Sequence, residues 1–350
     1  MKRTTPAPVK VGILILFLIL AGVTSFFIFR WARAFFLDFS IAQLPGVAIQ
    51  DTLTPGQIDE GTPGVTPESS FVTGPPPEPW DGGSRVTILV LGLDYRDWLA
   101  NEGPPRSDTM ILLTIDPLTV TAGILNIPRD LWVNIPGYDY GKINTAYALG
   151  ESYQVPPYGG PTLAMQTVEA LLGVDIHYYA QIDFYAFERF IDELDNIWVD
   201  IPYEIKVDPL GEGNTNTLEP GLTELDGPHA LAYARARNSE GGDFDRSTRQ
   251  QQVILAIFDR ILELGPAQIA ARAPALYEEL SAGVHTNLSL DDAIRLGWLA
   301  LDTRDSIARG AIAPPNSVIL AKSPDGSQDI LIPVPDQIRL VRDQVFASSG

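Results

Sequence analysis

Apolar residues are distributed along this chain in three successive patterns. The first is unbroken: residues 11–29, VGILILFLILAGVTSFFIF, carry no charge. As a helix rising ~1.5 Å per residue they would span about 28 Å, close to the roughly 30 Å hydrocarbon core of a bilayer, which predicts a transmembrane helix. Lys2, Arg3 and Lys10 precede it and a long acidic remainder follows. The positive-inside rule therefore places residues 1–10 in the cytoplasm and the rest outside, although Arg30 and Arg33 pull the other way. A cleaved signal peptide with a small-residue site near Thr24 and Ser25 is the rival. The apolar stretch continues through Phe29 and resumes at Phe35 and Phe36, which favours a retained anchor.

In the second pattern no apolar period is sustained. Residues 41–84 are rich in Pro, Gly, Thr and Ser, with segments such as GPPPEPWDGG, so the stretch from 30 to 84 reads as an extracytoplasmic linker.

The third pattern begins at residue 85, with short β-rich runs alternating with helical stripes. Residues 86–93 form a continuous apolar run, predicting a buried central strand. Runs at 109–115 and 121–127 flank the turn Asp116-Pro117-Leu118-Thr119, predicting a hairpin. Antiparallel partners lie equal distances from the turn centre, so Asp108 is expected opposite Pro128 and Arg129. Helical spacing follows at 161–172 with a stop at Gly173, a strand at 178–182, a helix at 184–194 and a strand at 197–201. Pro228 starts another helix, and 245–264 is a longer amphipathic one. Beyond Pro266 two or three helices are expected, including 290–301, with short strands near 317–320 and 330–332. The pattern predicts an α/β fold, a mixed central β-sheet covered by helices, with a domain over 85–264 and a C-terminal extension, 265–350, packed on or continuing it.

Composition narrows the chemistry. The 350 residues hold 24 Lys+Arg against 44 Asp+Glu, a formal charge of -20, which argues against nucleic acid as a partner. No cysteine is present, excluding disulfides, thiolate metal sites and Cys nucleophiles; His177, His229 and His285 share no ligand-like spacing.

Against that acidic background, Arg235, Arg237, Arg246 and Arg249 gather around a Gly-Gly turn. Asp243 or Asp245 is a suitable N-cap for the helix that follows, placing Arg246 and Arg249 near its first turn. Cations are disfavoured at that end, and a bound anion would remove the conflict. The other reading of the segment is a surface network in which these arginines pair with Glu240, Asp243 and Asp245. Arg246 and Gln250 share one helix face that runs on into Val253 and Ile257. Asp94 and Asp108 lie near strand ends, where two carboxylates could hold Mg²⁺, or could instead serve as turn caps or pair with Arg96 and Arg106.

The stretches LGLDYRDW, RSDTM, NIPRDLWVNIPG, GKINTAYALG, LDGPHALAYARAR and GDFDRSTRQQ, in this order over residues 86–264, resemble the LytR-CpsA-Psr family of cell-envelope proteins. The resemblance implies a bacterial membrane protein with one N-terminal anchor in the cytoplasmic membrane and an extracytoplasmic enzymatic domain. That domain would transfer an anionic glycopolymer, such as teichoic acid or capsule, from a polyprenyl-pyrophosphate carrier to peptidoglycan with the help of Mg²⁺. It implies Asp94 and Asp108 as metal ligands. Arg106, Arg129, Arg235, Arg237, Arg246 and Gln250 would bind the pyrophosphate, with Lys142 and Arg249 in matching motifs. Asp94, Arg106, Asp108, Arg129 and Arg237 form the expected catalytic set, with Asp94 the candidate base and Ser107 either structural or a phosphate ligand. Two departures stand out: Asp195-Asn196-Ile197 where the family usually carries Gly-Gly-Val, and His229 where an acidic residue is more frequent. Hydrolysis by a polyprenyl-pyrophosphate phosphatase and carrier binding without chemistry are the alternatives.

Overall fold

A computed structural model describes residues 83–93, 104–209, 215–237, 239 and 242–347. The transmembrane helix expected over 11–29, most of the linker, and Asp94 lie outside the described residues. Among the described residues no helix is long and apolar enough to cross a membrane.

The core of the fold is a six-stranded mixed sheet in the order β11-β6-β1-β2-β3-β12. Its centre is β1 (Val86–Leu93), antiparallel to β2 (Ser107–Asp116) and parallel to β6 (Tyr178–Asp183). β2 continues through the expected hairpin into β3 (Thr121–Asn126). Two strands from beyond residue 264 form the edges: β11 (Val284–Thr286) on β6 and β12 (Ile307–Ala311) parallel to β3. This topology brings the carboxyl ends of β1, β3, β6 and β12, and the start of β2, to one end of the sheet.

Alternation along the strands defines two faces. On the first, Leu89, Leu91 and Leu93 of β1 join Met110, Leu112 and Leu125 in the largest apolar cluster. It is covered by α1 (Thr145–Ser152), α2 (Gly160–Leu172) and α7 (Pro335–Phe346). Gly123 and Gly310 let α7 approach this closely, because a Cβ on Gly123 would meet the Val345 carbonyl oxygen at 2.4 Å. A second cluster joins α3 (Phe184–Glu193), β7 (Ile197–Ile201), β8 (Ile205–Val207), β10 (Gly221–Leu225), α4 (Gly227–Arg235) and α5 (Asp243–Gly283). α5 is broken at Gly265, whose φ of 71° and ψ of 169° are not helical. Its first half therefore ends where the sequence pattern ended it. The remaining short elements are the pairs β4 (Trp132–Asn134) with β5 (Tyr140–Lys142), β8 with β9 (Asn216–Leu218), and β13 (Val318–Lys322) with β14 (Asp329–Pro333), together with α6 (Leu290–Asp302).

Two local features explain sequence oddities. Asp195 and Asn196 both have positive φ, 63° and 65°. This is the backbone that glycine adopts freely and that Asp and Asn tolerate best among the others, so Asp-Asn suits the position where the resemblance leads one to expect Gly-Gly. In the β2–β3 turn, Asp116 Oδ1 accepts from the amides of Leu118 (2.9 Å) and Thr119 (3.3 Å), and its Oδ2 pairs with Arg85 at 2.8 Å. Burial opposes ionisation of Asp116, but the two amides and Arg85 outweigh it and hold the carboxyl below its ordinary 3.8. The contribution to stability is therefore present above the unfolded pKa and is lost as pH falls through the lower folded one. Asp116→Ala is expected to cost about 1–2 kcal/mol in urea unfolding at pH 7. The gap to the parent protein should narrow below pH 3.8; a gap that stayed constant with pH would refute the assignment.

Candidate functional site

At the end of the sheet where the strand termini converge, the β1–β2 register slips. Gly92 pairs with Thr109 and Leu93 with Ser107, leaving Asp108 as the extra residue of a β-bulge. A bulge turns a side chain away from the regular alternation and is frequent beside functional sites. Here arginines from three segments meet at Asp108, two at its carboxylate and one at its carbonyl. Arg129 Nη1 donates to Asp108 Oδ1 at 2.8 Å, which is the cross-hairpin pair that counting from the turn predicts. Arg237 Nη2 lies 3.8 Å from Asp108 Oδ2, and Arg246 Nη2 donates to the Asp108 carbonyl at 3.3 Å. Arg129 Nε is also 3.5 Å from Asp130 Oδ2, whose other oxygen accepts from Lys142 Nζ at 2.7 Å. Lys142, Asp130, Arg129, Asp108 and Arg237 thus form a chain of alternating charge at the end of the sheet, with Arg246 beside it. Among the described residues of this cluster cations outnumber carboxylates, a local positive excess within an acidic protein. Exposure grades across it: Arg237 is 44% exposed at the side chain and Arg129 22%, whereas Arg246 is buried.

The other residues singled out in the sequence have different surroundings. Gln250 is buried and accepts from Asn126 Nδ2 (3.0 Å) while donating to Thr109 Oγ1 (3.2 Å). Gln251 donates to Asn126 Oδ1 (2.7 Å) and to the Gly310 carbonyl (2.9 Å). These two glutamines fasten α5 to β2, β3 and β12 and so fix where Arg246 points. Arg249 is 2% exposed and donates to the Ala236 carbonyl, to Ser239 Oγ at 3.3 Å and to Tyr203 Oη at 3.2 Å. Its guanidinium is spent on holding the segment that carries Arg237. Arg235 closes α4, where the helix dipole favours a cation, and stacks 4.4 Å from the Phe184 ring centre. Arg106 is exposed, immediately before the bulge. Tyr233 Oη donates to Gln252 Oε1 at 2.7 Å, and burial pushes this phenol up to about 12, so it stays a neutral donor tying α4 to α5.

The start of α5 differs from the expected Asp cap. The N-cap is Gly242, with φ 54° and no side-chain cap bond, and Asp243 is already helical. Arg246 is consequently the fourth helical residue, and its amide donates to the Gly242 carbonyl at 3.1 Å.

Ser107 Oγ and Asn144 Oδ1 are buried with no hydrogen-bond partner among the described residues. Ser107 is the hydroxyl that the sequence offers as structural or a phosphate ligand, whereas Asn144 lies inconspicuously within GKINTAYALG and is missed.

For a divalent metal, Asp108 offers a carboxylate oxygen of the kind Mg²⁺ takes. No group of three or more His, Asp or Glu residues able to hold a metal occurs among the described residues. A protein contribution of one or two carboxylates suits Mg²⁺, which completes its octahedron with water and phosphate oxygens.

Comparison with known proteins agrees with this architecture. The model of the LytR_cpsA_psr family matches residues 66–323. The chain is 38% identical over 207 residues to the polyisoprenyl-teichoic acid–peptidoglycan teichoic acid transferase TagU of Oceanobacillus iheyensis, covering 59% of this chain and 60% of that protein. It is 34% identical over 224 residues to the like-named transferase TagT of Bacillus subtilis, covering 61% and 64%. The match thus spans less than two thirds of either relative. Among solved structures, B. subtilis TagV superposes with a TM-score of 0.60 at 29% identity, covering 75% of this chain and 96% of that one. TagT bound to LI-WTA superposes with a TM-score of 0.58 at 27% identity, covering 77% and 93%.

Proposed function

Since the chain belongs to the LytR-CpsA-Psr family, we propose that it transfers an anionic glycopolymer from a polyprenyl-pyrophosphate carrier to peptidoglycan. The observation that carries this reading is the cation-rich chain around Asp108, open on the Arg237 side and closed behind by Arg246. A pyrophosphate is a compact polyanion, and guanidinium forks match its oxygens in geometry as well as charge. Two of the named relatives are teichoic acid transferases and one solved structure holds LI-WTA, which supports a substrate of the same class.

In the proposed reaction a hydroxyl of peptidoglycan attacks the sugar-linked phosphorus. The phosphoanhydride bond to the second phosphorus breaks, lipid phosphate leaves with the bonding electrons, and the hydroxyl proton passes to a base. Such transfers depend on positioning and charge neutralisation, and no covalent enzyme intermediate is required. Arg129 and Arg237 would bind the equatorial oxygens, and Arg246 would hold Asp108 through its carbonyl. Bound Mg²⁺, held by Asp108 and Asp94, would neutralise charge on the phosphate oxygens. Anchored by residues 11–29, the domain would work at the outer surface of the cytoplasmic membrane, within reach of carrier and wall.

Incubating the full-length chain with a lipid-pyrophosphate glycopolymer and peptidoglycan, with and without Mg²⁺, tests this. Polymer-linked muropeptide that depends on Mg²⁺ is the expected product. Free polymer would identify a phosphatase, and intact, bound donor a carrier-binding protein.

A further inference from the structure

Ser107 is fully buried, and its hydroxyl has no partner among the described residues. Asn144 is 4% exposed with Oδ1 equally unpartnered. Native proteins rarely leave such groups unpaired, because each has given up its water without replacement. Asn144 is doubly unusual. It occupies the N-cap of α1, where asparagine ordinarily turns its oxygen onto the helix amides, yet it makes no side-chain cap bond.

Both residues flank the same ion pair. Ser107 immediately precedes Asp108, and the Asn144 amide donates to the carbonyl of Arg129 at 3.3 Å. Both also adjoin the same apolar cluster. Ser107 pairs with Leu93 and so points to Leu93's side, and Asn144 lies between Ile143 and Ala146; Leu93, Ile143 and Ala146 all belong to the largest apolar cluster. Arg237, which follows α4, and Arg246 of α5 reach Asp108 as well. The pair Asp108–Arg129 therefore has charged donors contributed by one group of elements and two neutral polar groups beside hydrocarbon. The N-terminus of α1 adds a field that favours an anion at the same place.

We infer that the Ser107 hydroxyl and the Asn144 amide bind oxygens of the carrier-side phosphate, the one that departs with the lipid. This inference rests on the pyrophosphate-carrier reading above and assigns the orientation of the substrate within it: the sugar-linked phosphate lies toward Arg237, and the isoprenoid begins at the apolar cluster. Asn144 would present its NH₂ to the phosphate, a rotation of the amide that the unpartnered oxygen leaves unopposed.

The test uses the full-length chain with farnesyl pyrophosphate and farnesyl monophosphate as probes, and reads both ligand affinity and the thermal midpoint without ligand. Ser107→Ala and Asn144→Ala are each expected to weaken both probes about tenfold, the loss of one hydrogen bond to a charged group. The ligand-free midpoint should hold or rise, since an unpaired polar atom has been removed. Asn144→Asp, nearly isosteric but anionic, should weaken both probes further. Arg237→Ala should affect the pyrophosphate far more than the monophosphate. Parent-like affinity in both alanine variants would overturn the inference, as would a fall in the midpoint with affinity intact, which would mean a structural water satisfies the two groups. Loss of the pyrophosphate alone would place them on the sugar side and overturn the orientation. If the parent chain fails to bind farnesyl pyrophosphate, the functional reading itself falls, whereas parent binding that is lost in Arg129→Ala but kept in both alanine variants rejects only this subsite.

Discussion

Replacing Arg129 with alanine is expected to lower the kcat/KM of polymer transfer by about 10²–10³-fold, the scale seen when a positioned donor to developing phosphate charge is removed. Arg129 bridges two carboxylates, with Nη1 on Asp108 at 2.8 Å and Nε 3.5 Å from Asp130. Deleting it therefore removes a phosphate ligand and also removes the 2.8 Å partner of the Asp108 carboxylate, which keeps Arg237 at 3.8 Å among the described residues. Arg129→Lys should recover only a minor part, because a point charge on a flexible stem cannot reach both carboxylates and a phosphate in fixed directions. The pair is solvent-accessible on both sides, so global stability should change little. Steady-state transfer kinetics together with urea unfolding separate the two effects. Near-parent kcat/KM in Arg129→Ala would remove the site from its proposed role.

Why Arg129 was legible from the sequence while other site residues were not is a matter of range. The β2–β3 turn is local, and its Asp-Pro-Leu-Thr chemistry sets the register, so counting outward predicts the Asp108–Arg129 contact without knowledge of the fold. The bulge that aims Asp108 is invisible at that level, since it arises from the pairing of β2 with β1 across a loop. The continuous strand at residues 86–93, the helix ending at Gly173 and the break at Gly265 were equally readable, because apolar period and glycine conformation act over a few residues. β11 and β12 were not. Each is short, partly exposed and held by an edge position, so burial leaves little alternation in its sequence. α1 is not among the helices that the apolar period predicts, since only three buried residues mark its inner face. The unpartnered state of Ser107 and Asn144 exists only in three dimensions and carries no sequence signal at all.

The arginines of residues 235–249 show the same limit within a single motif. The resemblance implies Arg237 as a pyrophosphate ligand in the catalytic set and places Arg249 in a matching motif beside it. The structure separates them: Arg237 is 44% exposed at the side chain, whereas Arg249 is 2% exposed, with its Nε unpartnered and its terminal nitrogens on Ala236, Ser239 and Tyr203. Arg249→Met is accordingly expected to cost about 2–4 kcal/mol in urea unfolding, because hydrogen bonds to a buried charge are lost and the Ala236 carbonyl is left without its donor. Arg237→Ala should stay within about 0.5 kcal/mol of the parent, as exposed substitutions do. In binding, both variants should weaken farnesyl pyrophosphate, Arg237→Ala by losing a ligand and Arg249→Met by releasing the 236–239 segment that carries it. Temperature separates these causes. Released chain must be reordered on binding, so the Arg249→Met defect should grow as the protein is warmed toward its unfolding transition, whereas the Arg237→Ala defect should stay nearly constant. If Arg249→Met were as stable as the parent and its binding defect independent of temperature, Arg249 would be a direct ligand after all, and the segment would owe its shape to other contacts.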